Sequence, residues 1–224
     1  MKFEILGKPA YSAVKIELES GESITAEAGA MMAMEGDIEV ETKTAGGIAK
    51  GLLRKIIVGE TLFLNVFKAG PKGGAVWLAP EVPGDIKHVK LEGEAIIVQD
   101  TSYLGHYGEI EQTIAWRGLK GVLAEGSLFW LKLRGYGGIW LNSYGHIIER
   151  DMAPGEEITV DNFHFVAMSN GMKWKIKRFG GFKSFLFGGE GFVVEVKGPG
   201  KLFVQTRTII DLAETLRRFI PRKR

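Results

Sequence analysis

Apolar residues recur at every second position through much of this chain. Leu62, Leu64 and Val66, then Leu128 and Trp130, then Phe192, Val194 and Val196 alternate as half-buried strands require. Several intervening residues, Phe63, Phe129 and Val193 among them, are also apolar, which predicts strands packed on both faces. Glycine-rich turn signals follow at Ala69 to Gly74, Gly135 to Gly138 and Gly198-Pro199-Gly200. Each leads into an apolar triplet: Val76-Trp77-Leu78, Ile139-Trp140-Leu141 and Leu202-Phe203-Val204. The pattern predicts that each strand pair closes as a hairpin, with glycine supplying the positive φ of a tight reversal.

The same spelling occurs three times. Gly21-Glu22 opens GESITAEAGAMMAMEG, Gly93-Glu94 opens GEAIIVQDTSYLGHYG, and Gly155-Glu156 opens GEEITVDNFHFVAMSNG. One such unit cannot bury its apolar face alone and must stack on its siblings. The expected fold is therefore all-β: a single domain, 1–224, of three β repeats at 11–80, 86–143 and 146–207 around a pseudo-threefold axis, like a β-sandwich or double-stranded β-helix. Before the late strands stand short segments of glycine, lysine and large aliphatics (46–60, 117–126 and 180–190), which fit either a helical turn or a bulged strand.

One α-helix is predicted, over 208–220. Thr208 stands as N-cap with Asp211 three residues on; Ile209, Leu212, Ala213, Leu216 and Ile220 share a face; Pro221 ends the run. Arg217 and Arg218 complement the helix dipole. The expected role is packing on the β body or on a neighbouring subunit, with peripheral contact to a membrane surface as the alternative.

Composition narrows the chemistry. The 31 glycines punctuate turns in a chain that is 45% apolar, so it is not a disordered one. With no cysteine there is no disulfide, no thiolate nucleophile and no sulfur-ligated zinc. No apolar run reaches a membrane span and no signal segment stands out, so a cytoplasmic protein is expected. Net charge is +2, but Arg217, Arg218, Arg222, Lys223 and Arg224 crowd the C-terminus; without them 24 basic residues face 27 acidic ones. A slightly acidic body disfavours nucleic acid as partner.

Two strings, FLFGGEGFVVEVKGPGKLFVQTR (Phe185 to Arg207) and GETLFLNVFKAGPKGGAVWLAP (Gly59 to Pro80), resemble hallmark segments of the altered-inheritance-of-mitochondria protein 24 family. The likeness covers nearly the whole chain, including the GGEG turn at Gly188 to Gly191, the GPG turn at Gly198 to Gly200 and the terminal helix. It implies an all-β body with pseudo-threefold repeats, similar in strand arrangement to the tryptophan RNA-binding attenuation protein and, more distantly, to double-stranded β-helices. It also implies association as trimers. Mitochondrial relatives are linked to inner-membrane organisation, a role not carried over to a chain without a targeting segment. The resemblance supplies no catalytic residue.

Four candidate sites follow from the residues. His106 with Glu109 and Glu111 has the residue types of a metal site, yet Met34 and Met168 stand at the corresponding positions, so a structural histidine is the expectation. His146 and Glu149, three apart on a strand, point to opposite faces. Glu22, Glu94 and Glu156 repeat and would form a symmetric carboxylate site if gathered, whereas Gly-Glu is also an ordinary solvated turn. Lys173, Lys175, Lys177 and Arg178 alternate around Trp174 as a basic stripe, read as an outward face with Met172, Trp174 and Ile176 inward. Trp77, Trp140 and Phe203 occupy matching places and read as core. No His-x-His, G-x-S-x-G or phosphate-loop motif occurs.

The expected function is a non-enzymatic binding or scaffolding protein: a homo-oligomer, with a trimer as the leading form, that presents a rigid β surface to a protein partner. It carries no catalytic, cofactor or metal residue in this reading. The alternatives are nucleic-acid binding and an enzyme or metal protein with a symmetric carboxylate site.

Overall fold

The computed structural model describes residues 1–44, 63–117, 129–179 and 192–220. The glycine-lysine-aliphatic segments, apart from Arg117, lie outside the described residues, as do the Gly188 to Gly191 turn, Pro221 and the basic residues after it. The described strands, in order, are β1 (Lys2–Leu6), β2 (Ala13–Leu18), β3 (Ser23–Glu27), β4 (Met31–Thr44), β5 (Phe63–Leu78), β6 (Ile86–Gln99) and β7 (Tyr103–Arg117). They continue with β8 (Phe129–Asn142), β9 (Ile147–Met152), β10 (Glu157–Asp161), β11 (Phe165–Ser169), β12 (Lys173–Arg178), β13 (Phe192–Lys197) and β14 (Gly200–Gln205), and the helix α1 (Ile209–Arg217) closes the order. The protein is mostly β, with one large antiparallel sheet and one C-terminal helix. The large sheet runs β1-β2-β5-β3-β7-β8-β6-β11-β14-β9, with β4 paired to β5, and a smaller sheet runs β10-β13-β12.

None of the three predicted hairpins forms: β5 and β8 are each one strand through their glycines, and β13 and β14, on either side of Gly198-Pro199-Gly200, lie in different sheets. Phe63–Ala69 pairs with Thr44–Ile38, and Gly74–Val76 continues the same antiparallel ladder with Gly36–Met34 while residues 70–73 loop out. In β8 the ladder to β7 passes unbroken through Gly135↔Ile110, Tyr136↔Glu109 and Gly137↔Gly108. β5 changes its other neighbour at its glycines, with Leu64–Lys68 on β3 but Gly74–Leu78 on β2, whereas β8 keeps β6 beside it throughout, with a register shift between Glu92 and Ala95. Glycine thus permits close approach and a bend rather than a reversal. A Cβ on Gly135, at φ +146°, would stand 1.8 Å from the Glu109 carbonyl oxygen.

Matching ladders recur along the chain. Val14–Leu18 pairs with Leu78–Gly74, Ile86–Leu91 with Asn142–Gly137, and Ile147–Met152 with Gln205–Gly200. Register shifts fall between Met31 and Ala33, Tyr103 and Gly105, and Phe165 and Ala167. The cores cross from one such set of strands to the next. Leu104 and Trp140 join Ile16, Ile24, Phe67 and Leu78, while Val166 and Phe203 join Val98, Leu133 and Leu141. A third core centres on Trp130, stacked on Phe165 at 4.4 Å and close to Trp174 at 4.6 Å. Each fully buried side chain of this size contributes about 1.5–3 kcal/mol, so the sets are held together by apolar contacts as well as by strand pairing.

The helix is shorter than expected. Its capping box forms: buried Thr208 accepts a hydrogen bond from the Asp211 backbone N–H at 3.1 Å, and its hydroxyl donates to the Asp211 carboxylate at 2.7 Å. No residue of α1 is buried. Leu212 is half-buried, and among the described residues the rest of the apolar stripe is left uncovered by the β body, the first of the two packing partners expected for it.

Candidate functional site: an uncovered strand

Three strand segments make the same contacts on one side. Met31, Ala33 and Met34 pair with Leu78, Trp77 and Val76 of β5; Tyr103, Gly105 and His106 pair with Leu141, Trp140 and Ile139 of β8; Phe165, Ala167 and Met168 pair with Val204, Phe203 and Leu202 of β14. On the other side they differ. β3 covers the second segment through Ile24↔Tyr107, Thr25↔His106 and Ala26↔Gly105. β6 covers the third through Ile96↔Ser169, Ile97↔Met168 and Val98↔Ala167. Among the described residues, Met31–Glu35 pairs with β5 alone.

Accessibility follows the cover. Tyr103, Leu104 and His106 are 0%, 1% and 7% exposed, and Phe165, Val166 and Met168 are all 0% exposed, whereas Met31, Met32 and Met34 stand 42%, 54% and 47% exposed. The covering strands show the complementary defect. β10 pairs with β13 in the register that β3 makes with β5 and β6 with β8, which sets Ile158, Thr159 and Val160 against Ile24, Thr25 and Ala26. Ile24 and Ala26 lie in the core, while Ile158 is half-buried, Thr159 is exposed and, among the described residues, the far edge of β10 has no strand beside it. An apolar strand and a vacant strand edge are surfaces that pair with another chain.

The residues singled out by sequence are scattered, and most hold local structure. Glu22, Glu94 and Glu156 accept hydrogen bonds from the backbone N–H groups of Glu19, Glu92 and Ala153, each at 2.9 Å, so each carboxylate fastens its own turn. The Met1 amine holds the Glu22 carboxyl below its ordinary range, and the Ala153 N–H, with Arg150 beside it, does the same for Glu156. His106 is buried in the sheet, away from exposed Glu109 and Glu111. The Tyr103 hydroxyl, at 2.6 Å, and the Gln112 amide, at 3.2 Å, both meet its Nδ1, which therefore accepts while Nε2 carries the proton. Burial pushes this imidazole down to about 4. Among the described residues no group of three His, Asp or Glu is placed to hold a metal.

Glu149 binds Lys87 and Lys201, while His146 donates through Nδ1 to Asp85 at 2.9 Å. Lys175 and Lys177 share Glu195, so the basic stripe is compensated in part, with Trp174 and Ile176 half-buried on the inner side. Trp140 and Phe203 are core; Trp77 is half-buried beneath the Lys15 ammonium.

Two features were not visible in the sequence. Glu27 is pushed up to about 7 by burial, reinforced by Glu81 and Asp100, so its carboxyl titrates near neutrality. Buried Asp85 gathers the Ser12 hydroxyl at 3.4 Å, its neighbour's Ile86 N–H at 2.9 Å and His146, tying the starts of β2, β6 and β9 to one carboxylate. Both depend on segments far apart in sequence, and no local motif marks them.

The chain resembles a protein of Streptococcus pyogenes serotype M6 described as uncharacterized, with 28% identity over 99% of this chain and 92% of that one. It is also similar to the crystal structure of protein SPYM3_0169 from Streptococcus pyogenes, with a TM-score of 0.81 and 27% identity over 98% of this chain and 99% of the other. The family described as mitochondrial biogenesis AIM24 matches residues 3–207, and the chain belongs to that family.

Proposed function

We propose that this protein is a non-enzymatic scaffold that works as a closed head-to-tail ring of three chains. The single observation that carries the reading is the exposed methionine segment of β4, whose two counterparts in β7 and β11 are each buried beneath a strand of the preceding set. In this reading the chain consists of three related units. β3 of the first covers the second, β6 of the second covers the third, and β10 of the third covers the first unit of the next chain. The contact is heterologous, so it closes into a ring when the steps add to a full turn. Three chains is the number that the family resemblance implies, and the pseudo-threefold, double-stranded β-helix-like relation expected among the units enters as this repeated step.

Chemistry at the two faces supports the pairing. Ile158, Thr159 and Val160 would lie opposite Glu35, Met34 and Ala33 of the next chain, burying Met31, Met32 and Met34 as Tyr103, Leu104 and His106 are buried. Lys173, Lys175 and Lys177 on β12 lie in the unit that meets Glu35, Asp37, Glu39 and Glu41 on β4, an electrostatic match that favours this partner over a like-charged one. The ring would offer a rigid β surface to a protein partner in the cytoplasm. The slightly acidic body does not favour nucleic-acid binding, and the separately fastened glutamates do not favour symmetric carboxylate chemistry. Native mass spectrometry of the untagged chain tests the reading. The expected mass is three times the 24.6 kDa of one chain, without added ligand; a monomer at micromolar concentration would overturn it.

A further inference from the structure

The helix α1 leaves Ile209, Ile210, Leu216, Phe219 and Ile220 in or just beyond it exposed, Phe219 by 80%. We propose that α1 is a clasp between chains: its apolar face packs on the first unit of the next chain, beginning at that chain's Tyr11. This inference rests on the head-to-tail reading above, and three observations converge on it.

The first is the path of the chain. After β5, residues 79–85 carry the chain across to the strands that follow, and after β8, residues 143–146 do the same. These two connections lie against each other through Asp85 N–H to Gly145 carbonyl, at 2.8 Å, and a parallel bridge between Gly84 and Gly145. The segment after β14 leaves at the corresponding place, with the Thr206 N–H on the His146 carbonyl at 3.1 Å. It leads not to another strand set but to α1. The helix therefore departs toward the position that a fourth unit would occupy, which in the ring is the next chain.

The second is apolar complementarity at that place. Tyr11 precedes β2 as Gly84 precedes the second set and Gly145 the third, and the Ser12 N–H donates to the Gly84 carbonyl at 2.9 Å just as Asp85 donates to Gly145. Another step of the same kind sets the next chain's Tyr11 beside Gly145. Gly145 already lies against Thr206 and Arg207, where an added Cβ would come within 2.5 and 3.1 Å, and α1 starts two residues later. Tyr11 is 78% exposed in the single chain, a large amphipathic ring with nothing to cover it there.

The third is charge. Positions 1–41 hold nine acidic and three basic residues, and Glu4, Glu17, Glu19, Glu35, Glu39 and Glu41 are exposed. The helix ends in Arg217 and Arg218, and the sequence continues to Arg222, Lys223 and Arg224. The basic end of one chain thus meets the acidic first unit of the next. The family model ends at residue 207, before α1, while the two streptococcal relatives cover 99% and 98% of this chain and so extend into the helix.

Sedimentation equilibrium of the full chain and of a chain ending at Arg207 tests the clasp. Because α1 buries none of its own residues and Thr208 is the one buried residue lost with it among those described, the shortened body should keep its fold, checked by circular dichroism. The full chain should be trimeric, and the shortened trimer should dissociate at concentrations at least roughly tenfold higher. Equal dissociation curves for two trimers would overturn the clasp and leave the ring standing; a full chain that stays monomeric would overturn both. A second measurement needs no truncation. In the full chain, which has no native cysteine, Tyr11→Cys combined with Ile210→Cys should form interchain disulfides on mild oxidation, and their absence would contradict the clasp. Flotation with anionic vesicles completes the test: vesicle binding that needs α1, together with unchanged trimer strength, would assign the apolar face to a membrane and overturn the proposal.

Discussion

The segments Tyr103–His106 and Met31–Met34 occupy the same slot, each paired to the late strand of its own set and shifted by a bulge at the same step. The first is roofed by β3 within the chain and the second is bare. The covered slot carries Tyr103 and His106, polar-tipped side chains whose buried hydrogen bond is made within the fold, with the ring nitrogen accepting from two donors. The exposed slot carries three methionines in four residues, flexible apolar side chains that in the proposed ring would adapt to a surface supplied by the next chain. A buried polar pair needs fixed geometry, which intramolecular packing supplies. An interface formed by association tolerates less rigid matching. The contrast suggests that one structural slot has taken two chemistries according to whether its cover belongs to the same chain.

The largest expected effect separates the two slots by one kind of substitution. Met32→Asp with Met34→Asp should leave a folded chain whose light-scattering mass falls to that of a monomer. Leu104→Asp, at the position matching Met32, should instead prevent folding, because an unpaired carboxylate would be buried at a cost of several kcal/mol. If both variants unfold, or both remain trimeric, the two slots do not differ in the way described.

A smaller effect concerns pH. The Glu27 carboxyl moves from 4.5 up to about 7 on folding, so its contribution to stability is complete below 4.5 and is lost as pH rises through 7. His106 moves from 6.5 down to about 4, so its contribution is present above 6.5 and is lost as pH falls through 4. Between 4.5 and 6.5 the two slopes oppose. Glu27→Gln should therefore unmask the histidine slope and gain stability relative to the parent between pH 5 and 8, by up to about 3 kcal/mol. Urea unfolding at several pH values measures this, and parallel profiles for parent and variant would contradict it.

The smallest expected effect is Tyr103→Phe. It removes the hydroxyl that donates to the His106 Nδ1 while Gln112 still reaches that atom, and should cost about 1 kcal/mol without changing the oligomeric mass. A change in mass would mean that the covered slot also governs association.

Strand positions were largely legible because alternation is a local signal, and β5, β8, β13 and β14 lie where it placed them. The Thr208 capping box was legible for the same reason. The matching of His106 with Met34 and Met168 marked a repeated strand position, where His106 and Met168 are buried and Met34 is exposed. The glycine clusters misled: a turn signal reports that the backbone departs from regularity, and only the neighbours of β5 and β8 make that departure a bend instead of a reversal. The partner of His146 was missed because Asp85 lies 61 residues away, and the perturbed Glu27 because Glu81 and Asp100 reach it through the fold. The exposure of Met31, Met32 and Met34 was invisible for a different reason, since apolar alternation looks the same whether or not a covering strand is present.

The most direct test joins the two open edges chemically. With no native cysteine to interfere, Thr159→Cys and Met34→Cys in one chain set a thiol on each edge at the positions that the repeated register places opposite one another. Mild oxidation should yield disulfide-linked dimers and trimers on a non-reducing gel, with trimers as the largest product, while monomers that fail to link at concentrations where the chain is folded would contradict the head-to-tail ring.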